Sequence, residues 1–249
     1  MRAAVIILIL VMPCVVYSQA PGYMGRRTVV VADIGLMNAF FQPNSGLHSG
    51  FGSFNHREGI ELDIVLSRTS SLGFRAELLN TAFNYTGWNK EGAVSPLIPT
   101  DTGTYGHGLI TGQAFGVNYK LYSRASKGGP APIGGFVKIA AMLARTVVTP
   151  YDRQNKVEYS SNWEFYTPVL LLSYGRQRIL WNVLVIRTGI ELGIVPEGIS
   201  PYFNGIDNIS DNDPKQELEK FHNARLFSYY AINAKFGIGF LGPFKQKVK

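Results

Sequence analysis

From Thr28 onward the chain alternates apolar and polar positions with period two, the pattern of strands that face two different environments. Eight such segments are predicted, at 28–41, 58–67, 71–85, 108–121, 133–146, 162–175, 178–194 and 224–240. In the second, Ile60, Leu62, Ile64 and Leu66 share one face, and Glu61, Asp63, Val65 and Ser67 the other. The third sets Leu72, Phe74, Ala76 and Leu78 against Gly73, Arg75, Glu77 and Leu79. The last sets Tyr230, Ile232, Ala234, Phe236, Ile238 and Phe240 against Asn233 and Lys235.

Alternation alone does not say which face is inside. The connections add direction, because long ones (42–57, 86–107, 147–161, 195–223) alternate with short ones centred on 67–70, 123–132 and 175–177. Short periplasmic turns and long extracellular loops are the habit of outer-membrane barrels, with an even strand count and both termini in the periplasm. The fold expected is all-β, an eight-stranded antiparallel up-and-down transmembrane barrel, or ten-stranded if 195–223 holds a further pair. Aromatic residues near segment ends (Tyr119, Tyr122, Trp163, Phe165, Tyr174, Trp181, Tyr229, Tyr230) are candidates for an interfacial girdle.

Composition fits this picture: 16% of the 249 residues are charged, 12% are aromatic and 27 are Gly, which suits membrane strands and turns better than a solvated helical protein. Met1-Arg2, the apolar run from Ala3 to Val16 and the small-residue site Val16-Tyr17-Ser18 read as a signal peptide over 1–18, leaving a barrel domain over 19–249. A signal anchor, a short buried helix or lipidation at Cys14 are the other readings of this stretch. Cleavage after Ser18 removes Cys14, the only cysteine, so the mature chain has no thiol chemistry. No later run approaches 18 uncharged apolar residues, so a membrane crossing requires strands.

Charge sorts with the topology. The short-turn side holds Arg26, Arg27, Arg68, Arg124, Lys127, Arg176, Arg178, Lys245, Lys247 and Lys249 and no acid, whereas the long-loop side is acid-rich, with Asp207, Asp211, Asp213, Glu217 and Glu219 in the last loop. With Arg178 counted on the short-turn side, seven bases and seven acids fall in the segments themselves, so the strand charges balance. Eight strands leave an interior that side chains just fill, and carboxylates buried there need cations. An interior network is therefore expected from Asp33, Glu61, Asp63, Arg75, Glu77, Lys120, Lys138, Arg187, Glu191, Arg225 and Lys235, giving a barrel that conducts poorly. The basic rim is expected to meet anionic lipid headgroups or an acidic periplasmic partner; nucleic acid is excluded because the bases lie on the wrong side of an exported protein.

The signal peptide, the up-and-down hairpins and the aromatic-rich last segment together resemble the OmpA/OmpX-like family of small outer-membrane barrels. Lys235, Gly237 and Phe240 match in outline the assembly signal of that family's last strand, although this chain continues from Leu241 to Lys249 where the family often ends on an aromatic. The start Gln19-Ala20-Pro21-Gly22-Tyr23-Met24-Gly25 resembles mature N-termini of Bacteroidota-type envelope barrels. The resemblance implies an outer membrane-embedded protein in contact with lipids and lipopolysaccharide, with no cofactor, no metal and no catalytic residues. The role expected is structural or interactive: envelope integrity, or an accessory subunit of an envelope complex.

Two alternatives come from other classes. A lipid A hydrolase or acyltransferase would use His48, His56, His107 or His222, with Ser45, Ser49, Ser53 and Glu58 near the first two. A soluble lipocalin-like barrel would place its apolar faces inward. The Gly-rich tracts 46–52 and 127–130 lack the features of phosphate loops, and His48 and His56 have no metal-ligand spacing.

Overall fold

The computed structural model describes residues 26–38, 54–84, 106–123, 131–152, 157–158, 162–204 and 214–242. Residues 1–18 with Cys14, expected above to be a signal peptide, the start at Gln19, His48, Arg124, Lys127 and the basic tail after Gly242 lie outside the described residues.

The alternating segments form β1 (Thr28–Asn38), β2 (Phe54–Val65), β3 (Ser70–Asn84), β4 (Gly106–Tyr122), β5 (Gly134–Asp152), a two-residue β6 (Val157–Glu158), β7 (Trp163–Leu180), β8 (Leu184–Ile194) and β9 (Ile232–Leu241). Each long strand pairs antiparallel with its sequence neighbour, β6 only extends the top of β5, and β9 pairs with β1, closing a barrel of eight strands. Among the described residues of 195–231 the chain forms helices α1 (Pro196–Asn204) and α2 (Pro214–Ala231) and no further strand pair. The short connections are 66–69, 123–133 and 181–183.

The stagger is read from the Cα partners. From Thr28 the path runs through Ile64, Leu72, Tyr119, Ile139, Leu172, Leu192 and Ile232. Extending the Leu36–Ala234 register by two residues returns it to β1 at Asn38, ten residues above its start. Eight strands with that stagger tilt by about 41° and enclose a backbone radius of about 8 Å. The strand ends are level at the short-turn side, but β3, β4, β5 and β7 run past β8, β9, β1 and β2 at the other, leaving one tall wall.

Two elements differ from the sequence reading. The last strand begins at Ile232, not 224, because 214–231 is helical: Pro214 opens it, and Leu218, His222, Arg225, Leu226 and Tyr229 recur on one buried face. The β7–β8 hairpin turns at Trp181-Asn182, not at 175–177. Both turn residues have positive φ, 51° and 61°, and Val183 N donates to the Leu180 carbonyl at 3.1 Å, which is a type I′ turn. Gly175 lies inside β7 instead, where a Cβ would meet the Thr188 carbonyl at 2.4 Å.

Candidate functional site

Polarity across the wall is inverted relative to a soluble barrel. Outward side chains are mostly apolar around the circumference, including Ile60, Phe74, Phe115, Ile139, Leu172, Ile190, Ile232 and Phe240, with Glu58 on β2 an exception, while Glu61, Asp63, Arg75, Glu77, Lys120, Lys138, Arg187, Glu191 and Lys235 point into the lumen. On β7, Pro168, Leu170, Leu172 and Tyr174 face outward between Tyr166 above and Arg176 below. Ten residues at the strand rise, tilted as above, span roughly 25 Å. Above this band the outward Arg145 pairs with Glu164, whose Oε1 also accepts from the Tyr166 hydroxyl at 2.6 Å.

The lumen is filled in three layers. At the short-turn end Val65, Tyr122, Ala131 and Phe136 form an apolar floor. Above it lie two linked ionic groups, held in place because β2, β3, β4, β5, β8 and β9 each turn charged positions inward at adjacent levels. In the lower group Glu61 Oε1 accepts from Lys120 Nζ at 2.8 Å and from Arg187 Nη1 at 2.7 Å, and Asp63 pairs with both cations, at 2.8 Å to Arg187 Nη2. In the upper group Glu191 accepts from Arg57 Nη2 and Arg75 Nη1, each at 2.6 Å, and from Ser173 Oγ at 2.9 Å. Glu77 pairs with Arg75, and Lys235 Nζ sits 2.8 Å from Asp33 and 3.2 Å from Glu77. Lys138 joins the two groups, 2.9 Å from Glu61 and 3.5 Å from Glu191. All of these residues are buried.

The upper layer is α2, packed on the inner face of the tall wall against Leu79, Phe83, Ile110, Ala114, Val148 and Phe165. It touches the ionic layer through its last turn: the Arg57 guanidinium lies 4.2 Å from the Tyr230 ring centroid, and the Tyr230 hydroxyl donates to Glu77 at 3.4 Å. The Tyr229 hydroxyl donates to the His56 carbonyl at 2.6 Å, pinning the helix to β2. Higher up, His222 Nε2 is 2.7 Å from Thr146 Oγ1, Nδ1 is 3.0 Å from Asn223 Oδ1, and the ring stacks on Phe165 at 4.8 Å. Burial pushes this imidazole down to about 4, outweighing the Asn223 contact.

The structure therefore brings together Asp33, Glu61, Asp63, Arg75, Glu77, Lys120, Lys138, Arg187, Glu191 and Lys235. It leaves Arg225 apart, on α2, where it donates to the Ala82 carbonyl at 2.7 Å and to Thr81 and Ser228. Sequence reasoning missed Arg57 by starting β2 at 58. Continuing the alternation back through Gly59 to Arg57 and Asn55 puts it on the inward face.

Of the girdle candidates, Tyr122, Phe165, Tyr229 and Tyr230 are buried in the lumen because strand parity or helix α2 turns them inward. Tyr174 and Trp181 are 71% and 84% exposed, and Tyr119 and Trp163 are half-buried. Of the basic rim residues, Arg26, Arg27 and Arg68 lie at the short-turn end, with Arg26 Nη1 donating to the Asn182 carbonyl at 3.4 Å. Arg176 and Arg178 stand on the outer face of β7, not in a turn. His56 lies on β2, 3.8 Å from Glu58, and His107 is at the top of β4. Among the described residues no group of three or more His, Cys, Asp and Glu is arranged to hold a metal.

No family model matches the chain, and no curated protein does. Among solved structures it is similar to the N-terminal β-barrel domain of Pseudomonas aeruginosa OprF, with a TM-score of 0.41 and 9% identity over 87% of this chain and 98% of that one.

Proposed function

We propose that this chain is an integral outer-membrane β-barrel whose lumen is sealed by its own side chains, and that its role is structural or interactive rather than conductive or catalytic. The observation that carries the reading is the inverted polarity: an apolar outer band of about hydrocarbon thickness around a lumen of paired charges. A lipocalin-type soluble barrel needs the opposite arrangement, an apolar lumen and a polar exterior. In this reading 1–18 directs export, the short turns and both termini face the periplasm, and the long connections face outward. The barrel wall contacts lipid and lipopolysaccharide, and the basic rim is available to a periplasmic protein in an accessory-subunit role.

The plug gives the reading its functional content. Water and ions crossing the barrel would have to displace α2 and break several buried ion pairs, and removing one partner of such a pair costs about 3–5 kcal/mol. Incorporation into a planar bilayer tests this. The barrel is expected to be heat-modifiable in detergent gels yet to give no steps of porin size. Steady large-conductance steps would overturn the sealed-lumen reading, and extraction into buffer without detergent would overturn the membrane reading.

A further inference from the structure

The outward wall carries very little charge inside its apolar band, and at the lower edge it is confined to one strand. Arg176 and Arg178 lie two residues apart on the outer face of β7, roughly 6.6 Å between Cα atoms by strand geometry. At the same level neighbouring strands present Val30, Leu72 and Ile238. The flanks of Arg176 are small: its partners are Gly135 on β5 and Thr188 on β8. Both guanidinium groups are exposed. Among the described residues no acid stands beside them: the sequence has no Asp or Glu over 102–151, 165–190 or after 219, Asp152 lies at the far end of β5, and Glu191 points into the lumen.

Aromatic side chains bracket the pair. Tyr174 stands on the same face above it, and Trp181 projects from the turn below. Trp181 holds a φ of 51°, a left-handed conformation that a bulky residue rarely adopts. Trp181 is 84% exposed, so packing among the described residues does not account for it. Amphipathic rings beside cations, at the edge of an apolar band, fit the headgroup level of a bilayer.

We propose that Arg176 and Arg178, framed by Tyr174 and Trp181, form a binding site for the phosphate of an anionic phospholipid in the leaflet that meets the short turns. This rests on the membrane reading above. Two guanidinium groups with no acid partner among the described residues meet the lipid phosphate at the hydrocarbon boundary in the geometry they favour, and Thr188 offers a hydroxyl donor beside them.

Trp181 is a built-in reporter. In a Trp88→Phe/Trp163→Phe background it is the only tryptophan, and its quenching by brominated phosphatidylglycerol can be compared with that by brominated phosphatidylcholine in reconstituted vesicles. Phosphatidylglycerol is expected to associate between about fivefold and thirtyfold more strongly, at one to two arginine contacts. That preference should fall to about one in R176Q/R178Q, persist in R145Q, weaken with salt, and resist added inorganic phosphate. Equal quenching by both lipids in the parent, or a preference unchanged in R176Q/R178Q, overturns the site while leaving the membrane reading intact. Loss of the preference on adding inorganic phosphate makes it a free-anion site and overturns the lipid assignment. Quenching by neither lipid overturns the membrane reading itself.

Discussion

Glu191 is the most connected carboxylate of the lumen, and Glu191→Gln is the sharpest perturbation of the network. Gln keeps the shape and can still accept from Ser173, but it removes the charge that faces Arg57 and Arg75 at 2.6 Å, Lys138 at 3.5 Å and Lys235 at 3.7 Å. In the ionic layer six cations (Arg57, Arg75, Lys120, Lys138, Arg187, Lys235) meet five carboxylates (Asp33, Glu61, Asp63, Glu77, Glu191), so the variant leaves six against four. The loss is not spread evenly. Arg75 and Lys235 keep Glu77 and Asp33, and Lys138 keeps Glu61, but Arg57 is left with Glu77 at 3.4 Å and the Tyr230 ring. Breaking a buried pair in this way costs about 3–5 kcal/mol, a factor of roughly 150 or more in the folding equilibrium. Urea titration of the barrel in lipid vesicles, followed by tryptophan fluorescence, measures it. A midpoint shift worth less than about 1 kcal/mol would show instead that these charges are solvated and the lumen is wet.

Three further outcomes follow from single features. His222 is neutral in its buried site, so its stabilising contribution is fully present above its unfolded value of 6.5 and is lost as pH falls from 6.5 to about 4; the difference between the parent and H222Q should change by about 3 kcal/mol over that range in urea midpoints. Gly239→Ala puts a Cβ 1.9 Å from the Val30 carbonyl across the β9–β1 closure, whereas Gly135→Ala meets nothing nearer than 3.8 Å; the first should reduce the heat-modifiable fraction on gels and the second should not. Ile139→Arg, at a site 62% exposed near the middle of the band, should cost about 2–4 kcal/mol in vesicles and far less in a solvated surface, read by the same urea titration.

Much of the barrel was legible because strand parity is strict where two faces differ. The Leu72-Phe74-Ala76-Leu78 and Ile60-Leu62-Ile64 faces, set against acids and bases, fixed β2 and β3 and with them most of the ionic network. What escaped was hidden by competing signals. The stretch Ala224–Ala231 reads as an extension of β9, since short aromatic-rich runs satisfy periods of two and of 3.6 about equally well; only the longer span back to Leu218 separates them. Gly175-Arg176-Gln177 has turn composition, but its glycine serves close strand approach, and the true turn places a Trp where sequence rules favour Gly or Asn. Arg57 was lost to a strand boundary drawn four residues late, the weakest part of any such reading.

In the proposed orientation the outer wall faces hydrocarbon and the inner wall does not. Removal of residues 1–18 leaves a chain without cysteine, so single-cysteine variants can carry an environment-sensitive label at outward Ile139 or Leu172 and at inward Ala140 or Leu171 in reconstituted vesicles. Nitroxides attached deep in the acyl chains are expected to quench the labels at 139 and 172 strongly and those at 140 and 171 weakly. Equal quenching at both sets, or quenching of 139 and 172 by a water-soluble agent in preference to the lipid-borne one, would contradict it.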